Sequence, residues 1–299
     1  MIARAPGKIV LSGAYAVLEG APAVVTAVDR YVEADASRAA DFLTPEVKAA
    51  LPGRAAPWFD AGALRSGDKK LGLGSSAAIL VASLGSVFAA ERGITDEGAL
   101  RGAVFEPALV AHRTAQGGGS GIDVAACVHG GTIVASRAGA TLAVRTISLP
   151  EGLHVDVLFT GVSASTSELV GRVRAFKARA PHAYGGVLEA LRSAAEDGER
   201  AFSEGRPEEV VRALRDQLRG LSDLGEHAGA RIVTREVGRL ADLAIEEDGI
   251  VLPAGAGGGD VALYVGQSPP SPRLTAAFAA ERHERLALSV GARGLHLRS

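Results

Sequence analysis

Between Lys70 and Leu80 the chain reads Lys-Leu-Gly-Leu-Gly-Ser-Ser-Ala-Ala-Ile-Leu, and this stretch restricts what the chain can fold into more than any other. Glycines at 72 and 74 allow a sharp turn with backbone amides pointing outward. Ser75 to Ala78 then open an apolar run continued by Ile79, Leu80, Val81, Leu84 and Val87. The pattern predicts a tight loop feeding a buried helix over Ser75 to Arg92. The first amides of such a helix lack internal partners and stand at the positive end of its dipole. The loop therefore either caps a core helix or receives an anion, most naturally a nucleotide phosphate.

With 299 residues, 47% hydrophobic and 22% charged, the chain can bury one large core or two medium ones. Two domains are expected, 1–150 and 151–299, because the strand pattern restarts after Pro150-Glu-Gly152. Lys and Arg total 32 against 34 Asp and Glu, so there is no basic field to gather nucleic acid or anionic lipid. Any anion site must be local. One cysteine, Cys127, excludes an intrachain disulfide and suits a reducing compartment. The longest apolar run, Ala77 to Ala90, is too short and too interrupted to span a bilayer, and no secretory leader is expected at the N-terminus. The expected protein is cytoplasmic, a monomer or homodimer acting on a small molecule, with neither nucleic acid nor membrane as a partner.

Short β-rich runs at Lys8 to Leu11, Ala23 to Ala27 and Tyr31 to Asp35 predict an antiparallel opening, with Lys8 just after the Pro6-Gly7 turn. That lysine either lies on the surface or projects into a cleft. Asp41 to Lys70 is a weakly patterned connector. A second helix is predicted over Thr95 to Gln116, interrupted or kinked by Pro107. Gly117-Gly-Gly-Ser-Gly-Ile-Asp123 follows, where Asp123 is either a helix cap or a catalytic carboxylate. In the second half come a strand at His154 to Phe159 and a hydroxyl-rich loop, Thr160 to Ser167, with a helix from about Glu168. Long helices follow at 182–204, 207–225 and 231–247. A second glycine-rich turn, Gly255 to Asp260, leads into a strand over Val261 to Val265, and a last helix, Arg273 to Glu284, precedes short terminal strands.

Ala5 to Lys8, Leu71 to Ala78, Gly119 to Asp123 and Gly255 to Asp260, in that order, resemble the motif set of the GHMP kinase superfamily, and within it most closely the phosphomevalonate kinases. The resemblance implies an α+β fold of two domains, the first ribosomal-protein-S5-like and the second ferredoxin-like. It also implies ATP-dependent phosphoryl transfer with Mg²⁺. Lys8 and Asp123 would be catalytic. Gly72, Leu73, Gly74, Ser75, Ser76 and Ala77, with Gly257 and Gly258, would hold ATP, and the Ser76 hydroxyl would face the metal. Tyr15, His112, Arg113, Gln116, Ser120 and Gly121 would contact the acceptor, as would Ser163, Ala164, Ser165, Thr166, Gly259 and Asp260. Arg113, Lys69, Lys70, Arg172, Arg174 and Lys177 are candidates to neutralise an acceptor phosphate.

His112 stands where mevalonate kinases usually carry a metal-binding glutamate, which favours phosphomevalonate over mevalonate as acceptor. Two departures stand against the pattern. Ala14 replaces a glutamate common among relatives, and Asp41 to Lys70 is shorter than the segment that walls the nucleotide base in most of them. A mevalonate or sugar kinase is the alternative reading, and a non-catalytic nucleotide- or metabolite-binding relative is the third.

Overall fold

The computed structural model describes residues 1–139 and 141–298. The first half opens with β1 (Ile2–Ser12) and β2 (Ala23–Ala39), then α1 (Pro45–Ala50), β3 (Pro57–Asp60) and a small hairpin, β4 (Arg65–Ser66) with β5 (Lys69–Lys70). Helices α2 (Ser75–Arg92), α3 (Glu97–Gln116) and α4 (Ile122–His129) follow, then strands β6 (Thr132–Ala138) and β7 (Thr141–Ile147). The second half contains β8 (His154–Phe159), α5 (Thr166–Arg179), α6 (Pro181–Ser203), α7 (Pro207–Ala228), α8 (Arg235–Ile245), β9 (Ile250–Pro253), β10 (Val261–Gly266), α9 (Pro272–Ala280), β11 (Glu284–Arg285) and β12 (His296–Leu297). Among the described residues no helix is long and apolar enough to cross a membrane.

Two antiparallel sheets organise these elements. The first runs β12-β1-β2-β6-β7 with β3 added to β2, and the second runs β11-β8-β10-β9. This is the expected α+β architecture, with one feature that a single division at 150 does not describe. The C-terminal strand β12 returns to pair with β1 on the first sheet, Ala3 opposite Leu297.

A bulge in β2 meets the chain on its way back. The runs predicted as separate strands at 23–27 and 31–35 are one strand, β2. Its pairing with β1 jumps from Pro6↔Tyr31 to Gly7↔Val28, which leaves Asp29 and Arg30 out of register. The bulge receives the tail. Asp29 accepts from the Ser289 amide at 2.7 Å and Arg30 donates to the Ala287 carbonyl at 3.2 Å.

Helix α2 is buried from Ala77 through Ala89, as its all-round apolar sequence requires, and packs on β1 and β2 beneath α1 and α3. Helix α3 runs through Pro107 without a break, and the Asp96 carboxylate caps it by accepting from the Ala99 amide at 2.8 Å. On the second sheet, α7 and α8 cover β9. A buried Gln217 on α7 joins the halves, its side-chain oxygen accepting from the Gly13 amide at 2.7 Å and the Ser12 hydroxyl at 3.1 Å. Among the titrating groups, burial lowers the pKa of His112, His129 and His296 below the ordinary 6.5. Below that value the unfolded chain binds protons that the folded chain resists, so stability holds above about pH 6.5 and falls as pH drops through it. Urea midpoints should therefore be lower at pH 5.5 than at 7.5, and a midpoint unchanged across that window would contradict the buried, neutral state of these rings.

Candidate active site

Strand β1 delivers Lys8 to the floor of a cleft, and a backbone bond sets its position against the glycine loop. The Lys8 amide donates to the Leu73 carbonyl at 2.9 Å. The residue is 7% exposed, and its side chain crosses Gly74, where a Cβ would stand 2.8 Å from the Lys8 Cε. Its Nζ ends 3.4 Å from Asp123 Oδ1. A lysine this enclosed needs a countercharge, so the surface reading of Lys8 is excluded.

The cap reading of Asp123 is excluded as well. The N-cap of α4 is Gly121, at φ +81°, and Asp123 lies in the first turn with its carboxylate turned to Lys8. Gly121 also seats the loop, since a side chain there would run into Leu109.

The phosphate-loop candidates are built as the sequence predicts. Gly74 is the left-handed N-cap of α2, no side chain caps that helix, and Ser75 and Ser76 are half-buried in its first turn. Leu73 and Ala77 are buried and anchor the loop from behind. Gly72, at φ +75°, is where close approach demands glycine, because a Cβ would lie 2.3 Å from the Asp260 side chain. The second glycine turn therefore presses on the first across the cleft.

Gly255 to Asp260 forms the opposite wall. At Gly257 a Cβ would meet the Ile232 carbonyl at 2.1 Å, and the Gly258 amide donates to that carbonyl at 2.9 Å, so this turn is held down by the loop before α8. Asp260, at φ +55°, accepts from the Ala164 amide at 3.2 Å. Burial pushes its carboxyl upward, against the pull of the Ala164 amide and the nearby Lys8 and Lys70. Tyr15, at φ +61°, donates its hydroxyl to the Ala256 carbonyl at 2.7 Å and ties the walls together, and burial pushes that phenol up as well. Two of the four non-glycine residues with positive φ among those described thus flank one cavity of ≈ 150 Å³. Lys8, Asp123, Gly72, Gly259 and Thr166 share its lining, with Ala14, Val10 and Val170 as apolar wall.

Behind Asp123 lies a group that the sequence reading missed in part. His112, 5% exposed, meets Gln116 Nε2 through its Nε2 at 3.1 Å, and the same amide nitrogen donates to Glu46 Oε1 at 3.3 Å. The Gln116 amide nitrogen is thus placed between the Glu46 carboxyl and the His112 ring. Burial holds the His112 pKa below its ordinary value, which favours the neutral ring. Glu46 belongs to the connector left unassigned from sequence, although Thr44-Pro45 is a helix-start pair. Arg113 lies close to Gly121, and Ser120 is half-buried in the same loop.

The hydroxyl loop divides differently from expectation. Only Thr166 lines the main cavity. Ser163, Ala164 and Ser165 line a separate groove with Arg172, Arg231 and Gly258. Ser165 caps α5, accepting from the Glu168 amide at 3.3 Å. Among the basic candidates, Lys69 donates to the Gly161 carbonyl at 2.8 Å, Arg172 pairs with Glu168 at 3.0 Å, and Lys177 pairs with Glu19 at 2.5 Å. Ser165→Ala is accordingly expected to cost about 1 kcal/mol of stability, as a lost cap does, with both substrate KM values unchanged. Thr166→Ala should raise the acceptor KM alone. Denaturation and steady-state kinetics on the two single variants check this, and a rise in acceptor KM for Ser165→Ala would return that serine to the acceptor site.

Among the described residues no three His, Cys, Asp or Glu side chains group as a metal site. The donors present still fit Mg²⁺, a hard ion satisfied by one or two protein oxygens, phosphate and water. Ser76 and the Asp260 carboxylate against Gly72 are oxygens at the loop.

No protein-family model matches the chain. It is similar to the phosphomevalonate kinase of a Streptomyces species, 27% identical over 351 aligned positions that cover 92% of each chain. It is also similar to the mevalonate kinase of Archaeoglobus fulgidus, 25% identical over 287 positions covering 90% of this chain and 94% of that one. Among solved structures, Streptococcus pneumoniae phosphomevalonate kinase in complex with phosphomevalonate and AMPPNP superposes with a TM-score of 0.77 at 18% identity, covering 97% of this chain and 100% of that one. The resemblance to GHMP kinases carried by the motifs thus extends to the whole fold.

Proposed function

We propose that this chain is an ATP-dependent GHMP-type kinase that transfers the γ-phosphoryl group to the phosphate of (R)-5-phosphomevalonate, giving 5-diphosphomevalonate and ADP. The observation that carries this reading is the Lys8–Asp123 pair, 3.4 Å apart, in a cleft closed by two glycine turns that press together at Gly72 and Asp260. A module that only binds a nucleotide has no use for a buried lysine paired with a half-buried carboxylate at that place. Similarity to a phosphomevalonate kinase and a mevalonate kinase supports a kinase of the mevalonate pathway, and the acceptor phosphate is the finer step of the proposal.

Phosphoryl transfer asks for positioning and charge neutralisation more than covalent chemistry. Backbone amides from Gly72 to Ser76 cradle the nucleotide phosphates at the positive end of α2. Gly257 and Gly258 bring the facing wall close to them. An acceptor phosphate oxygen attacks the γ-phosphorus, the new P–O bond forms, and the bond to the β-phosphate oxygen breaks with ADP leaving. Lys8 stabilises the charge on the equatorial oxygens. The acceptor phosphate is largely ionised at neutral pH, so Asp123 chiefly orients the acceptor and holds Lys8 in place, and takes a proton only from the monoanion. Tyr15 and Thr166 shape the acceptor cavity. The Ser76 hydroxyl would help hold Mg²⁺, which would supply further charge neutralisation.

The test is a turnover assay following ADP release from ATP and Mg²⁺ with phosphomevalonate, mevalonate and a panel of sugars. ADP release with phosphomevalonate far above the others is expected. Release with none of them would leave the chain a binding relative.

A further inference from the structure

Tyr15, Leu18 and Val170 line both the main cavity and a second one of ≈ 220 Å³, so the two chambers are neighbours. The far chamber is charged: Arg137, Arg174 and Lys177 face a single carboxylate, Glu19. That carboxylate is already taken, since it pairs with Lys177 at 2.5 Å and accepts from the Tyr184 hydroxyl at 3.1 Å. Among the described residues Arg137 makes only a long 3.4 Å contact, with the Gly139 carbonyl. Arg174 has no hydrogen-bond or ion-pair partner among the described residues. It reaches from α5 toward the opposite half, its guanidinium 3.6 Å from where a Cβ on Gly118 would stand. Two guanidinium groups without carboxylate partners among the described residues, beside a glycine pair that leaves room, make a site for an anion.

The chemistry of the proposed acceptor says which anion. Phosphomevalonate carries a phosphate at one end of a five-carbon chain and a carboxylate at the other. Transfer requires its phosphate at Lys8 and Asp123, and the apolar wall of Val10, Ala14 and Val170 suits the hydrocarbon between. We infer that Arg174, assisted by Arg137, binds the C1 carboxylate of the acceptor in this second chamber. The inference rests on the proposed acceptor. It assigns Arg174 to the carboxylate rather than to the phosphate that its place among the basic candidates suggested.

The experiment compares phosphomevalonate with its C1 carboxamide on the full chain, as wild type, Arg174→Ala and Arg174→Lys. Kd is read by titration calorimetry, which needs no turnover. Wild type should bind the amide at least about tenfold more weakly than the acid, as expected for loss of a charge-assisted hydrogen bond. Arg174→Ala should bind the acid at least about tenfold more weakly than wild type, with little remaining preference for acid over amide and an unchanged Kd for ATP. Arg174→Lys should recover part of the preference. An acid-over-amide preference in Arg174→Ala equal to that of wild type overturns the inference, as does an equal loss of ATP affinity. Tight, Arg174-dependent binding of the acid without ADP release would instead sink the proposed reaction while leaving the carboxylate site standing. Weakening of inorganic phosphate binding by Arg174→Ala, with the acid and amide unaffected, would make the chamber a site for a separate anion and overturn the assignment to substrate.

Discussion

Lys8→Met and Asp123→Asn are each expected to lower kcat by at least about a hundredfold while changing KM for ATP and acceptor only modestly, the pattern of groups that act mainly in the transition state. The geometry makes the two variants unequal in their side effects. Removing the Asp123 charge leaves a buried lysine without its 3.4 Å partner, with Asp260 a second carboxylate close enough to feel its charge. Lys8 in Asp123→Asn should lean toward Asp260, against Gly72, and Asp123→Asn is therefore expected to perturb ATP binding more than Lys8→Met does. Neither change removes a helix cap, because Gly121 holds that position. Melting temperatures near wild type should accompany the loss of kcat. Normal turnover in both variants would end the catalytic assignment, and a large fall in melting temperature in both would make the pair structural.

Much of this site was legible because its signals are local. A Gly-Leu-Gly-Ser-Ser loop followed by an all-apolar run can hardly be anything but a loop entering a buried helix, and α2 spans the residues predicted for it. Strand β8 likewise coincides with the predicted run from His154 to Phe159. The misses share a different cause. Nothing in the run from Ala23 to Asp35 shows that Asp29 and Arg30 are extruded to receive a tail some 260 residues later. Which side of a loop meets a cleft is equally invisible, so four adjacent residues, Ser163 to Thr166, were read together although only Thr166 lines the main cavity. Glu46 and Arg137 escaped notice because each belongs to a stretch whose local pattern is ordinary. Their neighbours Gln116 and Arg174 lie far away in the chain.

Mevalonate should be a poor substrate, by roughly four to five powers of ten in kcat/KM relative to phosphomevalonate, as when a site built around a polar group meets the analogue that lacks it. The cleft gives this expectation two physical sources. Without an acceptor phosphate, Lys8 loses an anionic partner in a largely buried setting. The second source is length. If the carboxylate is held at Arg174 and the reacting group must reach the Lys8–Asp123 pair, the cleft acts as a ruler, and mevalonate, shorter by a phosphate, leaves its hydroxyl short of the γ-phosphorus. The two sources separate in Arg174→Ala. Releasing the carboxylate lets the shorter acceptor slide toward Lys8, so the kcat penalty against mevalonate should shrink while its affinity stays weak. Steady-state kinetics on both acceptors in both proteins read this directly. A kcat/KM for mevalonate equal to or above that for phosphomevalonate in the wild type would change the assignment to a mevalonate kinase, and an undiminished kcat penalty in Arg174→Ala would remove the ruler and leave charge as the sole basis of selection.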